Sequence, residues 1–184
     1  MTPRVLAIAR EQLRRELAAD LGRGGYVLQK GEGPGVQRYF DKALVLCRPG
    51  LLARAAELMC DLLPEMCERI AVNGVAACTL GTALSLASGV PLLFGSSAAG
   101  DEPEFHGDLH PKAQVVLLED VVFTGQRALS GARALTARNA EVLSVLCLLD
   151  RDVGASRVLA AAGLTLRPLF IENELLAMAH GSGI

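Results

Sequence analysis

Tryptophan is absent, and aromatic residues make up only 4% of the 184-residue chain. So few rings exclude an aromatic-rich binding surface and point to a core of aliphatic helix-on-sheet layers. A basic excess is missing too. The formal net charge is −2, so the chain lacks the positive field with which a general nucleic-acid binder neutralises phosphates. The five cysteines, Cys47, Cys60, Cys67, Cys78 and Cys147, form no C-x-x-C pair and lie in apolar stretches. They read as reduced buried thiols, not as metal ligands or a disulfide framework. No apolar run is long enough to span a membrane; the nearest, residues 71–94, is interrupted by Asn73, Thr79, Gly81 and Pro91. The first residues mix acids into an amphipathic helical pattern, unlike a signal or transit peptide, so a cytoplasmic compartment is expected. What remains is abundant aliphatic material, with 51% hydrophobic residues. By length that is one domain, residues 1–184, able to bury a large core.

The pattern along the chain predicts alternating elements. Thr2-Pro3 opens a helix that carries Leu6, Ala9, Leu13 and Leu17 and ends at Gly22. Residues 24–35 are glycine-rich around a short apolar stretch at 26–28, a hairpin or loop. Residues 39–47 read as a strand, and Pro49 opens a second helix. Strands are expected at 70–77, 90–94, 114–118, 141–149 and 164–171. Helices are expected at 80–88, 126–137, 154–162 and 173–179, with a long polar loop over 95–111. Continuous aliphatic strands alternating with helices imply a parallel sheet covered on both faces. Ligands of such sheets bind beyond the carboxyl ends of the strands. The first 48 residues stand apart as an N-terminal helix and a hood or edge addition.

The most informative stretch follows the strand at 114–118 and reads Glu119-Asp120-Val121-Val122-Phe123-Thr124-Gly125-Gln126-Arg127. A buried strand ends in two adjacent carboxylates, crosses a short Thr-Gly loop and enters a helix. Backbone N–H groups at the loop and helix start can bind a phosphate, helped by the helix dipole. Thr124 adds a hydroxyl donor, and Gly125 permits close backbone approach. Glu119 and Asp120 can accept hydrogen bonds from ribose hydroxyls, directly or through Mg²⁺ and its waters. Equally, they can be simple charge complements of a helix N-terminus. Strand-loop-helix units with acids at the tip occur in many unrelated α/β proteins.

This loop resembles the phosphoribosyl-pyrophosphate (PRPP) motif of type I phosphoribosyltransferases, in which a strand, two acids and three further residues precede Thr-Gly. Other stretches are similar to the orotate branch of that family. They are Gly25-Tyr26-Val27-Leu28-Gln29-Lys30-Gly31 with Tyr39-Phe40-Asp41, Arg48-Pro49-Gly50, Gly107-Asp108-Leu109-His110-Pro111, and Asp150-Arg151 at a strand end. The resemblance implies a type I phosphoribosyltransferase fold, a central parallel sheet flanked by helices with a small N-terminal hood. It also implies transfer of ribose 5-phosphate from PRPP to orotate or a related base in pyrimidine nucleotide synthesis, giving a nucleotide monophosphate with Mg²⁺ accompanying PRPP. Base contacts would fall to Lys30, Tyr39, Phe40 and Arg151, the last gripping a carboxylate unless it is a helix-start ion pair. The family's enzymes are homodimers. No nucleic-acid or membrane partner is implied.

The departures from that pattern lie where the chemistry is most demanding. Cations must face the leaving pyrophosphate in an oxocarbenium-like transition state, and the orotate enzymes carry them on a mobile "Arg-Lys-x-x-Lys" loop. Here residues 94–107 contain no Lys or Arg, and Asp101, Glu102 and Glu104 precede His106; the cation-free stretch runs from Arg69 to Lys112. His106 is either a solvated loop histidine or a substitute acid or cation. The family's glycine-rich pyrophosphate turn falls near residues 74–81 and is shortened by about three residues. Phe123 replaces a small or hydroxylic residue, and Arg127 a hydroxylic one, although a guanidinium also pairs well with phosphate. Two readings therefore stand: an active transferase, or a catalytically impaired relative that binds PRPP or a nucleotide in a regulatory role.

Overall fold

The structure, a computed structural model, describes residues 3–21, 26–28, 38–96 and 102–181. Helix α1 spans Pro3–Asp20, and β1 (Tyr26–Leu28) pairs antiparallel with β2 (Arg38–Phe40) in a sheet of its own. Next come α2 (Ala43–Leu46), α3 (Pro49–Cys60), β3 (Arg69–Asn73), α4 (Val75–Ser88), β4 (Leu92–Ser96) and β5 (Glu104–His106). The remainder is β6 (Gln114–Val122), α5 (Gln126–Ala137), β7 (Glu141–Asp150), α6 (Ala155–Ala160), β8 (Leu166–Ile171) and α7 (Glu172–Gly181).

The second sheet has six strands in the order β5-β4-β3-β6-β7-β8, parallel throughout except for the β4–β5 pair. Its central strands are continuous aliphatic runs because both faces are covered. Ile70, Ala71 and Val72 of β3 and Val115 to Leu118 of β6 are fully buried. On one face Leu13, Leu17, Met59, Leu80 and Leu84, from α1, α3 and α4, pack against Ile70, Val72, Val116 and Leu118. On the other, Ala128, Ala132 and Leu135 of α5 pack with Leu159 and Phe105 against Ala71, Val115 and Leu117. The alternation of partners along each strand is the period of two expected of a pleated ribbon. The α/β parallel architecture expected from the sequence is thus what forms, and α5 has the predicted bounds.

Several local expectations are corrected. Residues 39–47 are not one strand. Asp41 turns the chain, its Oδ1 accepting from the Ala43 N–H at 2.9 Å and its carbonyl from the Leu44 N–H at 3.1 Å. The good helix formers Ala43 and Leu44 then continue as α2. The strand expected over 70–77 stops at Asn73, because Gly74 takes φ +94 and α4 begins at once. An unbroken apolar run cannot by itself distinguish a buried strand from a buried helix, and here it contains both. The polar loop over 95–111 holds β5, pinned by Phe105, which is 1% exposed. Finally, β6 continues to Val122, so the acid pair lies within the strand, not after it.

Candidate functional site at the carboxyl edge of the sheet

From β3 the chain moves one way to β4 and later returns to lay β6 on the other side of β3. The carboxyl ends of β3 and β6 therefore flank a topological switch point, where the two crossover directions leave a crevice. Gly74 stands on one bank, and Glu119 and Asp120 on the other.

The two carboxylates are among the most buried charges in the chain, Glu119 at 2% and Asp120 at 1% exposure. Both are neutralised. Arg127, the second residue of α5, places Nε 3.3 and 3.1 Å from the two Glu119 oxygens and donates through Nη2 to Glu119 as well. The same Nη2 donates to Asp120 Oδ1 at 3.1 Å. Lys42, just before α2, brings its Nζ to 2.5 Å from Asp120 Oδ2. That contact is an ion pair out of line for a hydrogen bond, so this buried oxygen keeps no aligned donor. Burial pushes the Glu119 carboxyl above its ordinary range, and the hydrogen bond and charge of Arg127 oppose that only in part. The Arg127 guanidinium is held above its usual value, chiefly by its hydrogen bond to Glu119. A quartet of two acids and two bases thus closes with no net charge.

Beyond the acids the motif loop is open. Gly125 adopts φ +77, a conformation other residues rarely take, and a Cβ there would stand 3.3 Å from the Ala155 carbonyl oxygen. No side chain caps the start of α5 at Gly125, so N–H groups of its first turn are left without a side-chain acceptor at the cap. Val121, Val122, Phe123, Thr124, Gly125, Arg127 and Glu119 line a cavity of about 210 Å³ there. On the far side of Arg127 lies a cavity of about 410 Å³, bounded by Lys42, Asp120, Gly74 and the first turn of α4. Gly74 caps α4, again without a side-chain hydrogen bond. A third cavity, about 560 Å³, extends along Asn73, Gly74, Thr79, Thr82, Gly95 and Ser96.

Of the residues singled out from sequence, Glu119, Val121 to Gly125 and Arg127 line the smaller cavity, Asp120 borders the 410 Å³ one, and Gln126 opens α5. His106 lies apart from these, exposed on the edge strand β5, with Nε2 3.0 Å from Ser96 Oγ. Arg151 is engaged by protein: its Nε lies 3.2 and 3.0 Å from the Glu172 oxygens, and its guanidinium covers the Phe123 ring at 5.2 Å. Its ion pair is with Glu172, the first residue of α7. Lys30 lies outside the described residues. Tyr39 and Phe40 lie in β2, in register with Val27 and Tyr26. Lys42 escaped sequence reasoning altogether. Its only signal was a charge beside Asp41 at a helix start misread as a strand.

The fit of Mg²⁺ to Glu119 and Asp120 can be judged on this geometry. Each carboxylate already carries a cation, and no cluster of three or more His, Cys, Asp or Glu side chains suited to a metal occurs among the described residues. Direct ligation does not fit the pair as it stands; an ion could reach these oxygens only after Arg127 or Lys42 departs.

No family model matches the chain. An orotate phosphoribosyltransferase from Nocardioides is 32% identical to it over 172 residues, covering 86% of this chain and 92% of that protein. The crystal structure of orotate phosphoribosyltransferase from Aeropyrum pernix superposes with a TM-score of 0.75 at 22% identity, covering 91% of this chain and 99% of that one. The Mycobacterium tuberculosis orotate phosphoribosyltransferase in complex with PRPP gives a TM-score of 0.71 at 23% identity, covering 89% and 98%. The two structural likenesses are of fold.

Proposed function

The chain belongs to the orotate phosphoribosyltransferase family, and from that premise we propose that it transfers ribose 5-phosphate from PRPP to orotate or a related base. The observation that carries this reading is the open loop from Phe123 to Arg127, with its uncapped helix start beside a buried acid pair. The 5-phosphate seats on the backbone N–H groups of that loop, where the dipole of α5 favours negative charge. Glu119 and Asp120 accept hydrogen bonds from the ribose hydroxyls and fix the sugar across the switch point. The pyrophosphate then extends into the 410 Å³ cavity toward the first turn of α4. In the transfer the C1–O bond breaks with its electron pair leaving on pyrophosphate, a C1–N bond to the base forms, and the proton on that nitrogen passes to water. Mg²⁺ accompanying PRPP would supply positive charge to the leaving pyrophosphate.

Phe123, 41% exposed with Arg151 over one face, borders the phosphate end of the site, and Arg151 braces it from β7. The base is assigned to the hood side, with Tyr39 and Phe40, and Lys30 on the segment between β1 and β2. The working form is a homodimer in the cytoplasm; sedimentation equilibrium tests the dimer directly. No observation among the described residues favours the regulatory alternative, although the cation-free stretch from Arg69 to Lys112 had made it open from sequence.

The deciding experiment incubates pure protein with Mg²⁺, PRPP and a panel of bases and follows pyrophosphate release. Release that depends on orotate or another single base is expected. No pyrophosphate with any base at high protein concentration refutes transferase function.

A further inference from the structure

Resting on the PRPP reading above, we infer that Lys42 is a pyrophosphate-binding residue of this site, a cation relocated to α2 from the loop where the family carries it. Three observations lead there. Residues 94–107 hold no Lys or Arg, so that stretch brings no side-chain ammonium or guanidinium to a pyrophosphate. Among the described residues bounding the 410 Å³ cavity, Lys42 and Arg127 are the cations. And Asp120, whose buried Oδ2 lacks an aligned donor, borders that same cavity with the Lys42 ammonium 2.5 Å from that oxygen.

An orphaned buried acceptor is costly unless something comes to satisfy it. Lys42 compensates its charge but not its hydrogen bond. A ligand hydroxyl satisfies the bond better, and its arrival releases the ammonium. Lys42 is 45% exposed, carried on a flexible four-carbon stem with three donors. It can therefore swing from Asp120 to a phosphate oxygen without leaving the cavity wall. The exchange is balanced: the carboxylate trades an ammonium for a ribose hydroxyl, and the ammonium trades a carboxylate for a phosphate. Arg127 is less free to follow, since it holds both acids by several hydrogen bonds. Lys42 is thus the mobile charge and Arg127 the fixed one.

Isothermal titration of inorganic pyrophosphate and of ribose 5-phosphate into the whole protein tests this. Lys42→Gln is expected to weaken pyrophosphate binding roughly 10- to 100-fold, the loss of one charge-assisted contact, and to leave ribose 5-phosphate within about twofold. Lys42→Arg, which keeps the charge, should recover most of the loss. Pyrophosphate affinity unchanged in Lys42→Gln overturns the inference while leaving the PRPP reading standing. An equal loss of both ligands, or no recovery in Lys42→Arg, also overturns it by making the effect structural. Wild-type protein that binds neither ligand overturns both the inference and the reading beneath it.

Discussion

Replacing Arg127 with alanine strips the hydrogen bonds from Glu119 and leaves two carboxylates, 2% and 1% exposed, with Lys42 as their remaining counter-charge. Removing one partner of a fully buried pair costs about 3–5 kcal/mol. Here the Arg127 side chain is 54% exposed, and solvent screening moves the figure toward the smaller values of surface pairs. An intermediate loss of about 2 kcal/mol is expected, a drop in Tm of roughly 4–8 °C for a chain of this length. The loss should depend on pH with a definite sign. Burial holds the Glu119 carboxyl above its ordinary value, so the native state takes up that proton at a higher pH than the unfolded chain. The stability this group contributes is fully present below the unfolded value, about 4.3, and is lost as pH rises through the folded value. Arg127 limits the loss by favouring the charged form. Without it the folded value climbs further, and the penalty of the substitution is largest at pH 7–8 and shrinks on acidification. Calorimetric melts of wild type and variant from pH 8 to pH 5, read as the difference in Tm at each pH, measure it. The double variant Glu119→Gln/Arg127→Ala removes the stranded charge and should melt above Arg127→Ala alone. An equal penalty at pH 5 and pH 8, or no recovery in the double variant, refutes the reasoning.

Packing gives a second test, since a Cβ on Gly81 would stand 2.4 Å from Val72 Cγ1 and 3.2 Å from Leu92 Cδ1. Gly81→Ala should destabilise by about 1–3 kcal/mol despite better helix propensity, and a Tm at or above wild type contradicts that. Arg151→Ala removes an ion pair of Glu172, 6% exposed, and uncovers Phe123; the denaturation midpoint should fall by the equivalent of about 2–4 kcal/mol, and an unchanged midpoint removes the bracing role. Among the thiols, Cys47 is exposed and borders the 410 Å³ cavity, whereas Cys147 is buried and its thiol is pushed well up by that burial. Iodoacetamide should therefore modify Cys47 and spare Cys147. PRPP should slow the Cys47 reaction; peptide mapping that shows no protection places the ligand elsewhere.

The sheet was legible in sequence because its strands are buried on both faces and so are written as aliphatic runs between helical stretches. The motif was legible for a different reason: acids at the end of such a run are costly to bury, and the Thr-Gly bend after them has a backbone use. What sequence misplaced were boundaries without polar punctuation. Residues 70–88 pass from strand to helix within one apolar stretch, and only Gly74, at φ +94, marks the turn. The tail of the predicted strand at 39–47 is a helix because one residue, Asp41, captures two backbone N–H groups, one with its side chain and one with its carbonyl. That error hid Lys42. Its role depends on an approach to Asp120 across 78 positions of chain, a proximity that no local pattern encodes.

The quartet at the switch point also bears on how the site meets its substrate. Cations on a mobile loop attract an anionic ligand before contact, but ordering that loop costs conformational entropy as it closes. Cations on the starts of α2 and α5 are already in place, yet each is spent on a carboxylate, so the quartet offers an approaching anion little net field. Binding becomes an exchange of partners at short range, with the gain set by how much better phosphate and hydroxyl satisfy the four groups than they satisfy one another. Of these groups, Asp120 Oδ2 is the one left without an aligned donor, so it is there that the exchange gains a hydrogen bond instead of merely trading one. A sugar hydroxyl delivered to that oxygen, together with a phosphate within reach of Lys42, is what distinguishes PRPP from either fragment alone.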